Sequence, residues 1–234
     1  MRRLFRSFER FGVDYLLISG QASILYGAAT FSEDIDLWVA PSESNILRLK
    51  RALASVRATW YKLTPPLTRR LMLAGHGFHF VIPARPIPLF LDVMGHPPRV
   101  GGFGTARKSA RSFRGPWGSV PVVSIEDLIE MKKTQRLADY DVISNLAQLR
   151  AQEEPDNLRV LRWAAKNSFR PADRHEFLIR AGRPSTVERC RSRISHEITR
   201  LQKSDAAYWR LRVHAIRRMR RAGALVPEGS AVTP

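Results

Sequence analysis

Residues 31–40 read FSEDIDLWVA, an apolar run that carries two aspartates two positions apart. Read as a strand, it sets Ile35, Leu37 and Val39 on one face and Asp34, Asp36 and Trp38 on the other. Along such a strand Cα atoms two positions apart are separated by roughly 6–7 Å, so both carboxylates can reach one divalent cation. Like charges this close repel unless a cation offsets them. The plainer alternative is an exposed strand end whose acids cap a helix or pair with nearby arginines.

A third carboxylate discriminates between these readings. The stretch IPLFLDVMG at 87–95 holds Asp92, the only acid between Glu43 and Glu126. A carboxylate within an apolar strand is costly without a partner. If that strand pairs beside the one with Asp34 and Asp36, three carboxylates converge on a site suited to Mg²⁺. Two metal ions in such a cluster can activate a hydroxyl and stabilise a pyrophosphate leaving group, which is the chemistry of nucleotidyl transfer.

The flanking pattern is that of an α/β chain. Leu4, Phe8 and Phe11 fall at helical spacing in Met1–Phe11, and Val13–Ile18 reads as a strand. Gly20 opens a turn into a helix that ends at Gly27. Pro41 and Ser42 introduce another, carrying Ile46, Leu49, Leu53 and Val56. Runs at 78–82 and 87–93 flank a proline-containing turn and predict a hairpin. Gly95–Gly118 reads as a surface loop in which Arg107, Lys108, Arg111 and Arg114 interleave with Phe103, Phe113 and Trp117. Val120–Val123 gives one more strand. From Ser124 the pattern is helical to Arg150, with Ile125, Ile129, Lys132 and Arg136 as one stripe that begins apolar and turns cationic.

Among 234 residues, 39 Lys and Arg stand against 21 Asp and Glu, a formal charge of +18 that favours a polyanionic partner. Residues 151–234 have no strand pattern, and the positive charge is densest there. Within Tyr208–Ala222, Trp209, Val213 and Ile216 share one helical face, and Arg210, Arg217 and Arg221 another. From about Val226 the expectation is disorder. The single Cys190 cannot form an internal disulfide, and no run reaches membrane-spanning length, so a cytoplasmic protein without membrane contact is expected. His76 and His79 lack the spacing of a helical zinc pair and read as structural or surface residues.

The segment ISGQASILYGAATFSEDIDLWV resembles the opening of the nucleotidyltransferase superfamily, the polymerase β-like fold. In that family a glycine pair begins a helix, and an Asp-x-Asp on the next strand binds metal. Leu91-Asp92-Val93 resembles its third carboxylate strand. SIEDLIEMKKTQRLADYDVISNL resembles the helical segment of a bacterial branch related to AbiEii-type abortive-infection toxins. The glycine pair is Ser19-Gly20 here, and Thr30 stands where close relatives often have arginine.

The resemblance implies Mg²⁺ or Mn²⁺ on Asp34, Asp36 and Asp92, with Asp92 as third ligand or as base. It implies nucleotide contacts from Ser19, Gly20 and Lys132 or Lys133, with Asp139 in support. Gly20 would allow close backbone approach, and amides at the helix start would meet phosphate. The expected architecture is α/β (α+β): a nucleotidyltransferase-like mixed sheet flanked by helices over residues 1–150, then a basic helical region over 151–234. The expected activity moves an NMP from an NTP to an acceptor hydroxyl, with RNA or tRNA preferred and an antitoxin among the partners. Two alternatives are a catalytically silent fold that binds nucleic acid, and transfer to a protein or small molecule.

Overall fold

The strand that carries Asp36 lies at the middle of the sheet. A computed structural model describes residues 1–183 and 185–234. In chain order its elements are α1 (Arg2–Phe11), β1 (Tyr15–Ile18), α2 (Ser19–Leu25), β2 (Ile35–Val39), α3 (Glu43–Ser55), β3 (Thr59–Trp60), α4 (Arg69–Leu73), β4 (Gly77–Ile82), β5 (Leu89–Met94), α5 (Phe103–Ser109), β6 (Arg111–Gly115) and β7 (Gly118–Val122). There follow α6 (Ile125–Lys132), α7 (Leu137–Glu153), α8 (Leu158–Asn167), α9 (Pro171–Arg180) and α10 (Val187–Arg221). The seven strands form one mixed sheet in the order β3-β4-β5-β2-β1-β7-β6. β2 runs parallel to β5 and antiparallel to β1, while β1 is parallel to β7.

The chain divides into two compact units. The first comprises Met1–Ala22, Phe31–Ser124 and Leu211–Pro234; the second comprises Ser23–Thr30 and Ile125–Arg210. The first holds the sheet. Leu16, Leu37, Leu91 and Val93 are fully buried, as is Trp38. α1 buries Leu4, Phe5 and Phe8, with Phe8 set edge-on to Tyr15 at 5.1 Å. The Ser42 hydroxyl caps α3 by accepting from the Asn45 amide at 3.3 Å. The buried Asn45 side chain accepts from the Asp14 amide and donates to the Asp14 and Ala40 carbonyls, which ties α3 to the ends of β1 and β2.

Three expectations are corrected. The segment 95–118 is ordered: α5 lies within it, and Phe103 is buried edge-on against Trp38 at 5.7 Å. Arg107 there is bonded to Asp14 at 3.2 Å. The second correction concerns the chain end. Val226 donates to the Thr64 carbonyl at 2.8 Å, Ser230 accepts from the Trp60 amide at 2.9 Å, and Val232 is buried. β3 is the edge of the sheet, with unsatisfied backbone groups that the terminal segment fills by bridges at Thr59–Ala231 and Thr64–Val226. The third is the stripe from Ile125 to Arg136, which is not on one helix. α6 stops at Lys132 and Arg136 caps α7.

In the second unit, the Ser144 hydroxyl accepts from the Phe169 amide at 2.9 Å, and Tyr140 meets the Phe169 ring edge-on at 4.8 Å. These contacts lock α7 to the turn between α8 and α9. Among the described residues, no helix is long and apolar enough to cross a membrane.

Candidate active site

Strand register assembles a row of side chains across the sheet. On β2, Asp36 is paired with Ile18 of β1 on one side and with Asp92 of β5 on the other; Asp92 is in turn paired with His79 of β4. Directly paired residues share a face, and neighbouring strands lie about 4.8 Å apart, so Asp36, Asp92 and His79 stand side by side. His79 Nδ1 is 2.7 Å from Asp92 Oδ1, with both side chains about one-third exposed at 30% and 32%. The tautomer protonated at Nδ1 donates to the carboxylate and fixes one of its oxygens.

The same face of β2 closes two residues further on. Trp38 is fully buried there, donating Nε1–H to the Gly95 carbonyl at 3.0 Å. Asp36 is therefore at the open end of an otherwise apolar strand.

Asp34 is placed differently from the sequence reading. β2 begins at Ile35, and Asp34 lies in a bend before it, so the alternation of the strand does not extend to Asp34. Among the described residues, no three His, Cys, Asp or Glu side chains are gathered closely enough to hold a metal ion between them. What register brings together is the pair Asp36 and Asp92. A pair fits Mg²⁺, which is commonly held by one or two carboxylates with substrate phosphates completing its shell.

The turn from β1 into α2 supports the bend. Ser19, directly after Ile18, has φ 58°, the left-handed region that glycine enters without steric penalty. A residue other than glycine held there stores roughly 1–3 kcal/mol of strain. Gly20 serves a contact other than the open approach expected from the sequence. A Cβ on it would lie 2.2 Å from Ser32 Oγ and 2.7 Å from Ser32 Cβ. Ser32 in turn donates its hydroxyl to the Asp34 carbonyl at 3.2 Å and accepts at its own carbonyl from Gln21 Nε2 at 3.2 Å. The missing side chain of Gly20 thus seats the bend that leads into the acids.

Lys132 and Lys133 belong to the second unit, and both are buried. Lys132 Nζ donates to Asp139 Oδ1 at 3.1 Å, and Asp139 also accepts from Thr134 and from Arg136 Nε at 3.1 Å. Lys133 pairs with Glu130. Lys132, expected to contact nucleotide phosphate, is held here in an internal ion pair with Asp139, which accepts from three donors.

His79, read from the sequence as a structural or surface residue, is the side chain that meets Asp92. Its signal was in the hairpin: a turn at residues 83–88 pairs Ile82 with Leu89 and, by antiparallel counting, His79 with Asp92.

No family model and no curated protein matches the sequence. Among solved structures, the fold is similar to an antigenic nucleotidyltransferase-like protein from Paracoccidioides brasiliensis, with 16% identity and a TM-score of 0.48 over 71% of this chain and 90% of that one. It is also similar to a putative nucleotidyltransferase from Thermotoga maritima, with 14% identity and a TM-score of 0.37 over 54% of this chain and 76% of that one.

Proposed function

We propose that this protein transfers a nucleoside monophosphate from an NTP to an acceptor hydroxyl, with RNA, and tRNA in particular, as the preferred acceptor. The observation that carries the proposal is the register of Asp36 against Asp92 on adjacent parallel strands, with His79 bonded to Asp92. Asp36 and Asp92 would hold Mg²⁺ or Mn²⁺ between them, with substrate phosphates completing the shell. When bound, the metal supplies charge neutralisation for the triphosphate and polarises the reacting oxygens.

The remaining chemistry falls to the chain. Asp92 accepts the proton of the acceptor hydroxyl as that oxygen bonds to the α-phosphorus and the bond to pyrophosphate breaks. His79 holds the other side of that carboxylate and keeps it aimed, so it is a positioning residue. The AbiEii-like segment adds the setting of a toxin restrained by an antitoxin partner.

The test incubates wild-type and Asp36→Ala protein with each α-labelled NTP, Mg²⁺, total RNA and cell lysate, then separates RNA from protein. Label on RNA with the wild type alone supports the proposal. Label on protein or on a small molecule moves the acceptor class, and no label with any NTP overturns catalysis. His79→Ala should lower kcat about 10- to 100-fold, with His79→Asn recovering most of it because its amide can donate from a similar place.

A second reading is favoured by Ser19 in its strained backbone and by Thr30: a catalytically silent fold that binds nucleic acid. On that reading Asp34→Ala/Asp36→Ala protein keeps its RNA affinity and salt dependence, and the wild type transfers no label.

A further inference from the structure

α10 is a single 35-residue helix, and in its second-unit portion the charges are sorted by side. Arg189, Arg193, His196, Arg200, Lys203 and Arg210 follow one another at spacings of three, four or seven, and all six are exposed. Such spacing keeps them on one stripe, about 31 Å long at the usual rise of a helix.

The acids behind the stripe point the other way. Glu197 accepts from the buried Arg174 Nη2 at 2.8 Å, and the buried Asp205 accepts from Gln135 Nε2 at 3.3 Å. Cys190 and Ile194 are buried on that inner side as well. Among the described residues, Glu188 is the one exposed acid in this portion, and it pairs with Arg191 beside the stripe. The four arginines and the lysine of the stripe make no ion pair among the described residues.

We infer that this stripe is a docking surface for the phosphate backbone of helical RNA. A row of cations without acids presents a line of positive potential, and counterion release on phosphate binding is its natural source of affinity. The stripe has no Asn, Gln, Phe, Tyr or Trp side chain, so it recognises the backbone and shape of a duplex rather than its sequence. A membrane surface is the poorer match. Between Glu188 and Arg210 no large apolar side chain is exposed among the described residues, and a helix lying in a lipid interface needs an apolar face to bury. The choice of RNA over DNA rests on the proposed acceptor; the charge sorting does not.

The experiment measures binding of a fluorescent RNA hairpin to the full chain by anisotropy across a salt series. Parallel arms use a DNA hairpin of the same sequence and phosphatidylserine vesicles. The variant Arg189→Gln/Arg193→Gln/Arg200→Gln/Lys203→Gln is set against a charge-matched control, Arg51→Gln/Arg159→Gln/Arg162→Gln/Lys166→Gln, whose positions are exposed on α3 and α8. Loss of four phosphate contacts should flatten the slope of log K against log salt by about 3 to 4 and weaken binding at least about thirtyfold, with the control close to wild type.

Equal loss in the control, or an unchanged slope in the stripe variant, overturns the inference. Tighter binding to the DNA hairpin or to vesicles overturns the choice of partner. Circular dichroism of both variants shows whether α10 remains folded, and single Arg193→Gln and Arg200→Gln proteins, each expected to lower the slope by about 1, replace the fourfold variant if it does not. Label transfer and hairpin binding are both measured on the wild type, so stripe-dependent binding without label transfer separates failure of catalysis from failure of the stripe.

Discussion

Substituting Gly20 by alanine tests whether the turn after β1 seats the bend that leads into the acids. The new Cβ would stand 2.2 Å from Ser32 Oγ and 2.7 Å from Ser32 Cβ. Rotating the Ser32 hydroxyl relieves the first contact. The second persists, because Cβ is fixed to the backbone, so residues 31–33 must shift. Overpacking of this kind costs about 1–3 kcal/mol. At about 2–4 °C per kcal/mol for a chain of this size, Tm should fall by several degrees.

The bend also leads into Asp36, and its displacement should depress label transfer more than a stability loss alone predicts. Ser32→Gly removes both close atoms and leaves Ser32 Cα at 3.9 Å, an ordinary contact. A double-mutant cycle read by thermal unfolding and by label transfer should therefore show Gly20→Ala rescued in the Ser32→Gly background, with a coupling of about 1–2 kcal/mol. Strict additivity, or a neutral Gly20→Ala, would refute the reasoning.

Deleting residues 226–234 removes the bonds that Val226, Gly229, Ser230 and Val232 make to Thr64, Trp60 and Ala58, together with a buried valine. Net of ordering entropy this should cost about 2 kcal/mol, and light scattering should reveal association through the uncovered edge. Lys132→Met leaves Asp139 buried without its ammonium partner; denaturant titration should show a loss of about 2–4 kcal/mol, partly recovered by Lys132→Met/Asp139→Asn. An unchanged midpoint would argue that Lys132 is not a structural ion-pair partner. Burial lowers the pKa of His76 from 6.5, with Arg212 and Arg70 pushing the same way. The folded state therefore binds a proton less readily than the unfolded chain, so this group's contribution is full above pH 6.5 and is lost as pH falls below it. Unfolding followed against pH should show that slope in the wild type and a shallower one in His76→Leu.

The local elements were legible because their signals are local. Ser42 before an amphipathic run, the period-two alternation at residues 35–39 and the proline turn before β5 each specify their structure over a few residues. The three acids stood out for the same reason, since carboxylates in apolar runs need partners wherever the runs end up. Their partners were less visible. Asp92 meets Asp36 across a parallel pair and His79 across an antiparallel one, and both contacts depend on strand order and register.

Lys132 read as a nucleotide contact at the end of a cationic stripe, yet it pairs with an acid seven residues away once the helix breaks and turns back. Arg189 to Arg210 differ from Arg174 in nothing local; Arg174 is buried against Glu197 and they are exposed only because packing chose which side of α10 faces inward.

By itself, then, the sequence determined most helices and strands, though not α5 or the break between α6 and α7, and the residue types able to carry charge or a proton, because propensity and periodicity act within a turn or two of chain. Tertiary structure alone decided which carboxylates stand side by side, that the last residues complete an edge, and which cations reach solvent. Those outcomes rest on contacts between segments tens of residues apart, where register and burial select among partners that local chemistry treats as equal.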